Sequence, residues 1–137
     1  MKKLLTTLAI LLTLVGCTPP AFADTIAQEQ RRCEKILWYE QKQLALEQLG
    51  ITLHVLRAKD MKDKAVWGSM RITDDGPVIE IRATEDYQPA MSAKERRHQQ
   101  DEVVIHELLH ILLIQCGVPN PAQDTIIEAI RPGVRLP

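Results

Sequence analysis

The stretch Val103-Val104-Ile105-His106-Glu107-Leu108-Leu109-His110-Ile111-Leu112-Leu113 sets two imidazoles and a carboxylate inside an otherwise apolar run. Burying such groups without a partner costs on the order of 2 kcal/mol or more apiece, so something must pair with them. On a helix, residues four apart project from one face, which brings His106 and His110 within reach of a single ion. Two ring nitrogens then fill two corners of a tetrahedral zinc site. Glu107 is rotated off the ligand row but stays near the metal, where a carboxylate can take a proton from metal-bound water and pass it to a leaving amine. The bland alternative is two satisfied core histidines and a surface carboxylate on an amphipathic helix, which leaves three polar groups in search of partners.

Working outward, Ser92-Ala93-Lys94-Glu95 has the form of a capping box and opens a helix that reaches about Cys116, with Gly117 and Pro119 ending it. Its charged first part, Lys94 to Glu102, reads as a solvated face, and Val103 to Ile114 as buried. Asn120-Pro121 starts a last helix that runs to Arg131 and is broken by Pro132-Gly133, leaving a loose tail from Gly133 to Pro137. Upstream, Thr25 and Gln28 cap a helix that stops at Gly50, with Trp38 and Tyr39 at core and rim positions.

Ile51 to Arg57 alternates as a strand, and His54 on its mixed face is read as structural or solvated. Val66 to Thr73 and Val78 to Ala83 form an antiparallel hairpin across Asp74-Asp75-Gly76-Pro77. Pro77 cannot donate a ladder bond, which points to an edge position for the second strand. Trp67 is read as packing, with a substrate groove as the alternative. The expected fold class is α+β: an N-terminal helix, a small antiparallel sheet, the histidine helix and a short C-terminal helix.

Met1-Lys2-Lys3 followed by an apolar run reads as an export signal over residues 1–23, because the run is shorter than the roughly 20 residues a spanning helix needs. Two exits compete. Leu14-Val15-Gly16-Cys17 resembles the bacterial lipobox, with Cys17 lipidated, whereas Ala21-Phe22-Ala23 fits ordinary signal cleavage. Residues 24–137 make one domain by length. They carry fifteen basic and eighteen acidic side chains, a net of −3, so neither a nucleic-acid footprint nor a polybasic membrane patch is present. Cys33 and Cys116, in an oxidising compartment, are expected to form a disulfide, against the alternative of two buried free thiols.

His-Glu-x-x-His on a buried helix, with Val103, Val104, Leu108, Leu109, Ile111 and Leu112 supplying its uncharged surroundings, resembles the zincin metalloproteases. A metzincin would place glycine at Leu113 and histidine at Cys116, so that subclass does not fit. Ile127-Glu128-Ala129-Ile130 resembles the gluzincin pattern, in which a glutamate on the next helix is the third ligand. The resemblance therefore implies one zinc held by His106, His110 and Glu128, with Glu107 as catalytic base. The chain departs from the pattern at Pro132, where thermolysin-like enzymes carry an aspartate that orients a histidine. Asp124, one turn before Glu128, stays open as that orienting group or as the ligand itself. Tyr87, His98 and Arg131 are candidates for a transition-state donor.

In zincins an edge strand above the motif helix pairs with extended substrate, and Val78 to Ala83 is expected in that role. The implied function is zinc-dependent hydrolysis of peptide bonds in a peptide or protein substrate, cell-wall peptides among the possibilities. Export to the cell envelope, with a lipid anchor at Cys17 if it is processed, is the expected location. A non-catalytic zinc-binding envelope lipoprotein is the alternative.

Overall fold

The computed structural model describes residues 24–131. The export signal, Cys17, Pro132 and the tail lie outside the described residues. The described part is α+β: helix α1 (Ile26–Gln43), strands β1 (Thr52–Leu56), β2 (Gly68–Thr73) and β3 (Gly76–Arg82), helix α2 (Ala93–Gln115) and helix α3 (Asn120–Ile130). Among the described residues no helix is long and apolar enough to cross a membrane.

Local chemistry sets the helix limits. Thr25 Oγ1 accepts from Gln28 N at 3.3 Å while Gln28 Oε1 accepts from Thr25 N at 2.8 Å, and Ser92 and Glu95 repeat the arrangement at 3.2 and 2.7 Å. At the other end of α2, Gly117 takes φ +76°, a left-handed conformation that glycine adopts without a Cβ penalty. α1 ends sooner than Gly50 would have it, at Gln43, and Leu44 to Gly50 form turns.

The sheet is mixed rather than antiparallel. Its order is β1-β3-β2, with β3 antiparallel to β2 and parallel to β1. β3 is therefore central and β2 is an edge, the reverse of what Pro77 indicated. The proline is tolerated because pairing with β1 begins one residue later, at Thr52 opposite Val78.

One face of the sheet carries Leu53, Val55, Ile79 and Ile81 into a core shared with Cys33 and Leu37 of α1 and Val103, Val104, Leu108 and Ile111 of α2. On the opposite side of α2, Ile105, Leu109 and Leu113 pack with Ile127 of α3. α2 is covered from two directions, which is why its second half is apolar all round. Trp67 stacks on Tyr87 with ring centroids 5.1 Å apart, so it is packing. Trp38 and Tyr39 are neither core nor rim: they are 61% and 56% exposed, and Lys42 Nζ sits 3.7 Å above the Trp38 ring.

The charged first part of α2 is more than a solvated face. Gln100 is fully buried, and its amide donates to Glu29 Oε2 at 2.8 Å and to the Arg82 carbonyl at 2.9 Å. Glu29, itself buried, also accepts from the Thr84 backbone at 3.0 Å and from the Thr84 hydroxyl. Arg32 donates to Gln100 and, at 3.1 Å, to Asp101. These bonds join α1, the end of β3 and α2 through groups that would otherwise be buried unpaired.

Cys33 and Cys116 are free, so the expected disulfide is not formed. Cys33 lies in the core beside the first half of α2, where Arg32 of its own helix pairs with Asp101. Cys116 caps the far end of α2, fifteen residues beyond Asp101 and about 22 Å away at the rise of an α-helix. A bridge spans only about 4–7 Å between Cα atoms. Burial pushes the Cys33 thiol up to about 12. A thiol reagent applied to the native protein is expected to modify Cys116 and spare Cys33 until the chain unfolds, as peptide mapping would report. A peptide cross-linked between residues 33 and 116 would contradict this topology.

Candidate metal centre

α2 and α3 build the site between them. His106 and His110 leave α2 one turn apart and turn their Nε2 atoms to within 3.0 Å of each other. α3 brings the Asp124 carboxylate across, its Oδ1 3.2 Å from His110 Nε2 and 3.8 Å from His106 Nε2. The three side chains form a group whose ligand atoms can hold a metal ion. Asp124 approaches from the open side, with its side chain 79% exposed, while His106 is buried and His110 half-buried.

The carboxylate delivered to the histidines is thus that of Asp124, not of Glu128. The reason lies in the rotation of α3. Gln123 and Ile127, one turn apart, form its buried face, and Ile127 is 1% exposed in the second core cluster. Asp124 follows Gln123 at the end of the helix nearer the rings. Glu128 follows Ile127 one turn farther along, stands exposed and is outside the group.

Gln123 answers a question the sequence left open, namely what orients a histidine when Pro132 replaces the expected aspartate. Its Oε1 accepts from His110 Nδ1 at 2.8 Å, while its own amide donates to the Val118 carbonyl at 2.8 Å and to Asn120 Oδ1 at 3.2 Å. With its amide hydrogens committed, Gln123 must present oxygen to the ring. His110 therefore carries its proton on Nδ1 and turns the Nε2 lone pair to the group. His106 Nδ1 is buried without a partner, so packing alone holds that ring. Burial, reinforced by neighbouring His110, lowers the His106 pKa to about 4, which keeps its imidazole neutral. The donor set suits a metal: two imidazoles and a carboxylate converge, with one ring oriented from behind.

Glu107 lies against the sheet edge rather than in the ligand group. A Cβ built on Gly68 of β2 would collide with Val103 and come within 3.0 Å of Glu107 Oε1, so the bare glycine makes room for the carboxylate. Burial, and secondarily the charge of Asp124, push the Glu107 pKa up to about 8. Glu107, His110, Gln123 and Asp124 line a cleft of about 410 Å³ whose opposite wall is Met70, Arg71 and Ile72 of β2.

None of the three candidate donors lines this cleft. Tyr87 is buried with its hydroxyl unpaired, His98 is exposed on the first part of α2, and Arg131 is held by Glu102 at 2.7 and 2.9 Å. Arg71 is the cationic side chain that does line it. His54 points away from the core on β1 and stays outside the site.

Comparison with protein-family models, curated proteins and solved structures finds no match to the chain.

Three outcomes follow for binding and stability. Gln123→Leu is expected to weaken metal affinity by about 10- to 100-fold, and Asp124→Asn to weaken it more than Glu128→Gln does; competition with a chromophoric chelator measures both. Gly68→Ala is expected to destabilise the fold by about 1–3 kcal/mol, because the added methyl lands on Val103. Urea unfolding reads that loss.

Proposed function

We propose that the protein is an exported zinc-dependent peptidase in which His106, His110 and Asp124 hold the metal and Glu107 moves the proton. The observation that carries this reading is the convergence of the three ligand atoms beside a buried carboxylate and an open cleft. Their separations of 3.0, 3.2 and 3.8 Å lie around the roughly 3.3–3.4 Å edges of a tetrahedron whose zinc bonds are about 2.0–2.1 Å long.

Zinc bound there would supply Lewis acidity, lowering the pKa of a water molecule and polarising the scissile carbonyl. The chain's own residues do the rest. Gln123 and the surrounding apolar packing hold the imidazoles in place, so the site is organised before substrate arrives. Glu107, in a dry position against Gly68, has its proton affinity raised by burial, and a cation held at the neighbouring histidines would lower it again; as the carboxylate it would take the proton of the attacking water and deliver it to the departing amine.

The substrate wall in this reading is β2, not β3 as the sequence indicated. β3 is paired on both sides, whereas β2 pairs only with β3 among the described residues and borders the cleft through Met70, Arg71 and Ile72. An extended peptide can add to that free edge by main-chain hydrogen bonds, laying its backbone across the cleft.

Replacing Glu107 with Gln is the decisive variant. Peptide hydrolysis by the zinc-loaded protein is expected to fall by at least about 100-fold, with zinc affinity retained. Unchanged hydrolysis would remove Glu107 from the chemistry, and zinc binding with no hydrolysis by the unaltered protein on any peptide or muropeptide would favour a non-catalytic zinc protein.

A further inference from the structure

Beyond the metal, the β2 wall has its own chemistry. Arg71 and Met70 border the metal cleft and also an adjoining groove of about 610 Å³, formed with Lys62, Asp63, Lys64 and Ser69. Its cations, Lys62, Lys64 and Arg71, outnumber its carboxylates, Asp63 in the lining and the Glu80 that pairs with Arg71, in a chain whose mature part is acidic. Lys62 and Lys64 are exposed and pair with no carboxylate among the described residues. The intervening Asp63 is turned to its own loop, where Oδ1 accepts from Ala65 N at 2.9 Å.

Arg71 is seated rather than loose. One Nη donates to Glu80 of β3, a side chain only 9% exposed, so one end of the guanidinium fork is fixed at the strand and its remaining donors are left for another partner. The lysines come from the loop between β1 and β2, immediately before the strand. They therefore stand toward the N-terminal end of β2, where the Lys64 carbonyl accepts from Arg82 of β3 and the groove reaches Ser69 and Arg71. The hairpin turn at the other end carries Asp74 and Asp75, both exposed. An extended peptide lying along β2 meets cations at one end and anions at the other.

We propose that this groove recognises a carboxylate of the substrate, making the protein selective for acidic peptides, with Arg71 and the Lys62–Lys64 pair as the specificity-determining residues. The proposal rests on the peptidase reading above for the word substrate, while the binding site itself stands on β2 and its loop. Carboxylates reach such a groove from two sources, an aspartate or glutamate side chain or a free chain terminus, and the same cations serve both.

The test uses the full chain loaded with zinc and four matched peptides, containing Glu or Gln, each with a free or amidated C-terminus. Both kcat/KM and, on Glu107→Gln protein, Kd by calorimetry are measured. The expected result is a preference of about fivefold or more for the carboxylate-bearing peptide. That preference should shrink with added salt and collapse or invert in Lys62→Glu/Lys64→Glu and in Arg71→Glu. A preference that follows Glu over Gln assigns the groove to a side chain, and one that follows the free terminus assigns it to the chain end.

Equal kcat/KM and equal Kd across the four peptides would overturn the proposal while leaving hydrolysis intact. A charge-dependent Kd without turnover would keep the groove and remove the peptidase. A preference that survives both variants would place recognition elsewhere and overturn the proposal.

Discussion

The meeting of α2 with α3 is the constraint on which the site depends. Ile127 packs into the cluster formed by Ile105, Leu109 and Leu113, and that contact fixes the rotation of a helix only eleven residues long. With Ile127 inward, Gln123 is inward as well and reaches His110, and Asp124 comes to the edge of the cleft where both imidazoles can be met. An apolar contact thus determines which carboxylate joins the histidines. Hydrophobic packing is non-directional by itself, but at helical spacing it sets the direction of each polar neighbour.

The same packing explains how a helix can carry His-Glu-x-x-His at low cost. α2 is buried on the sheet side by β3 and α1 and on the other side by α3, and His110 and Glu107 reach the cleft that β2 and α3 line together. There Gly68 gives Glu107 its room, Gln123 satisfies one ring, and the open cleft leaves Asp124 in contact with water. Burial has opposite consequences for two adjacent residues: His106 is kept neutral and Glu107 is made a better proton acceptor.

Local rules carried much of the fold. Thr25 with Gln28 and Ser92 with Glu95 gave both capping boxes, Gly117 the end of α2, and Asp74-Asp75 the β2–β3 turn, because each depends on residues within one turn of one another. The pair His106 and His110 was legible for the same reason. What depended on distant packing was not. The order β1-β3-β2 follows from where the loop after β1 returns, which no local pattern encodes, so Pro77 points to an edge while β3 lies at the centre. The third ligand required the rotation of α3. Glu128 matches a familiar spacing, yet the apolar positions Ile126, Ile127 and Ile130 do not decide which flanking carboxylate turns to the two imidazoles. Gln123 carries no charge to mark it as a site residue, although its place one turn before Ile127 makes it inward-facing. The Cys33–Cys116 bridge failed on distance alone, a quantity hidden in a helix whose length was known but whose crossing with α1 was not.

The most direct test of the central claim is a crystal structure of the zinc-loaded protein with diffraction recorded at the zinc absorption edge. The expected result is one anomalous peak bounded by His106 Nε2, His110 Nε2 and a carboxylate oxygen of Asp124, with Glu128 in solvent. A peak completed by Glu128 while Asp124 points away, or no peak between the two rings, would contradict it.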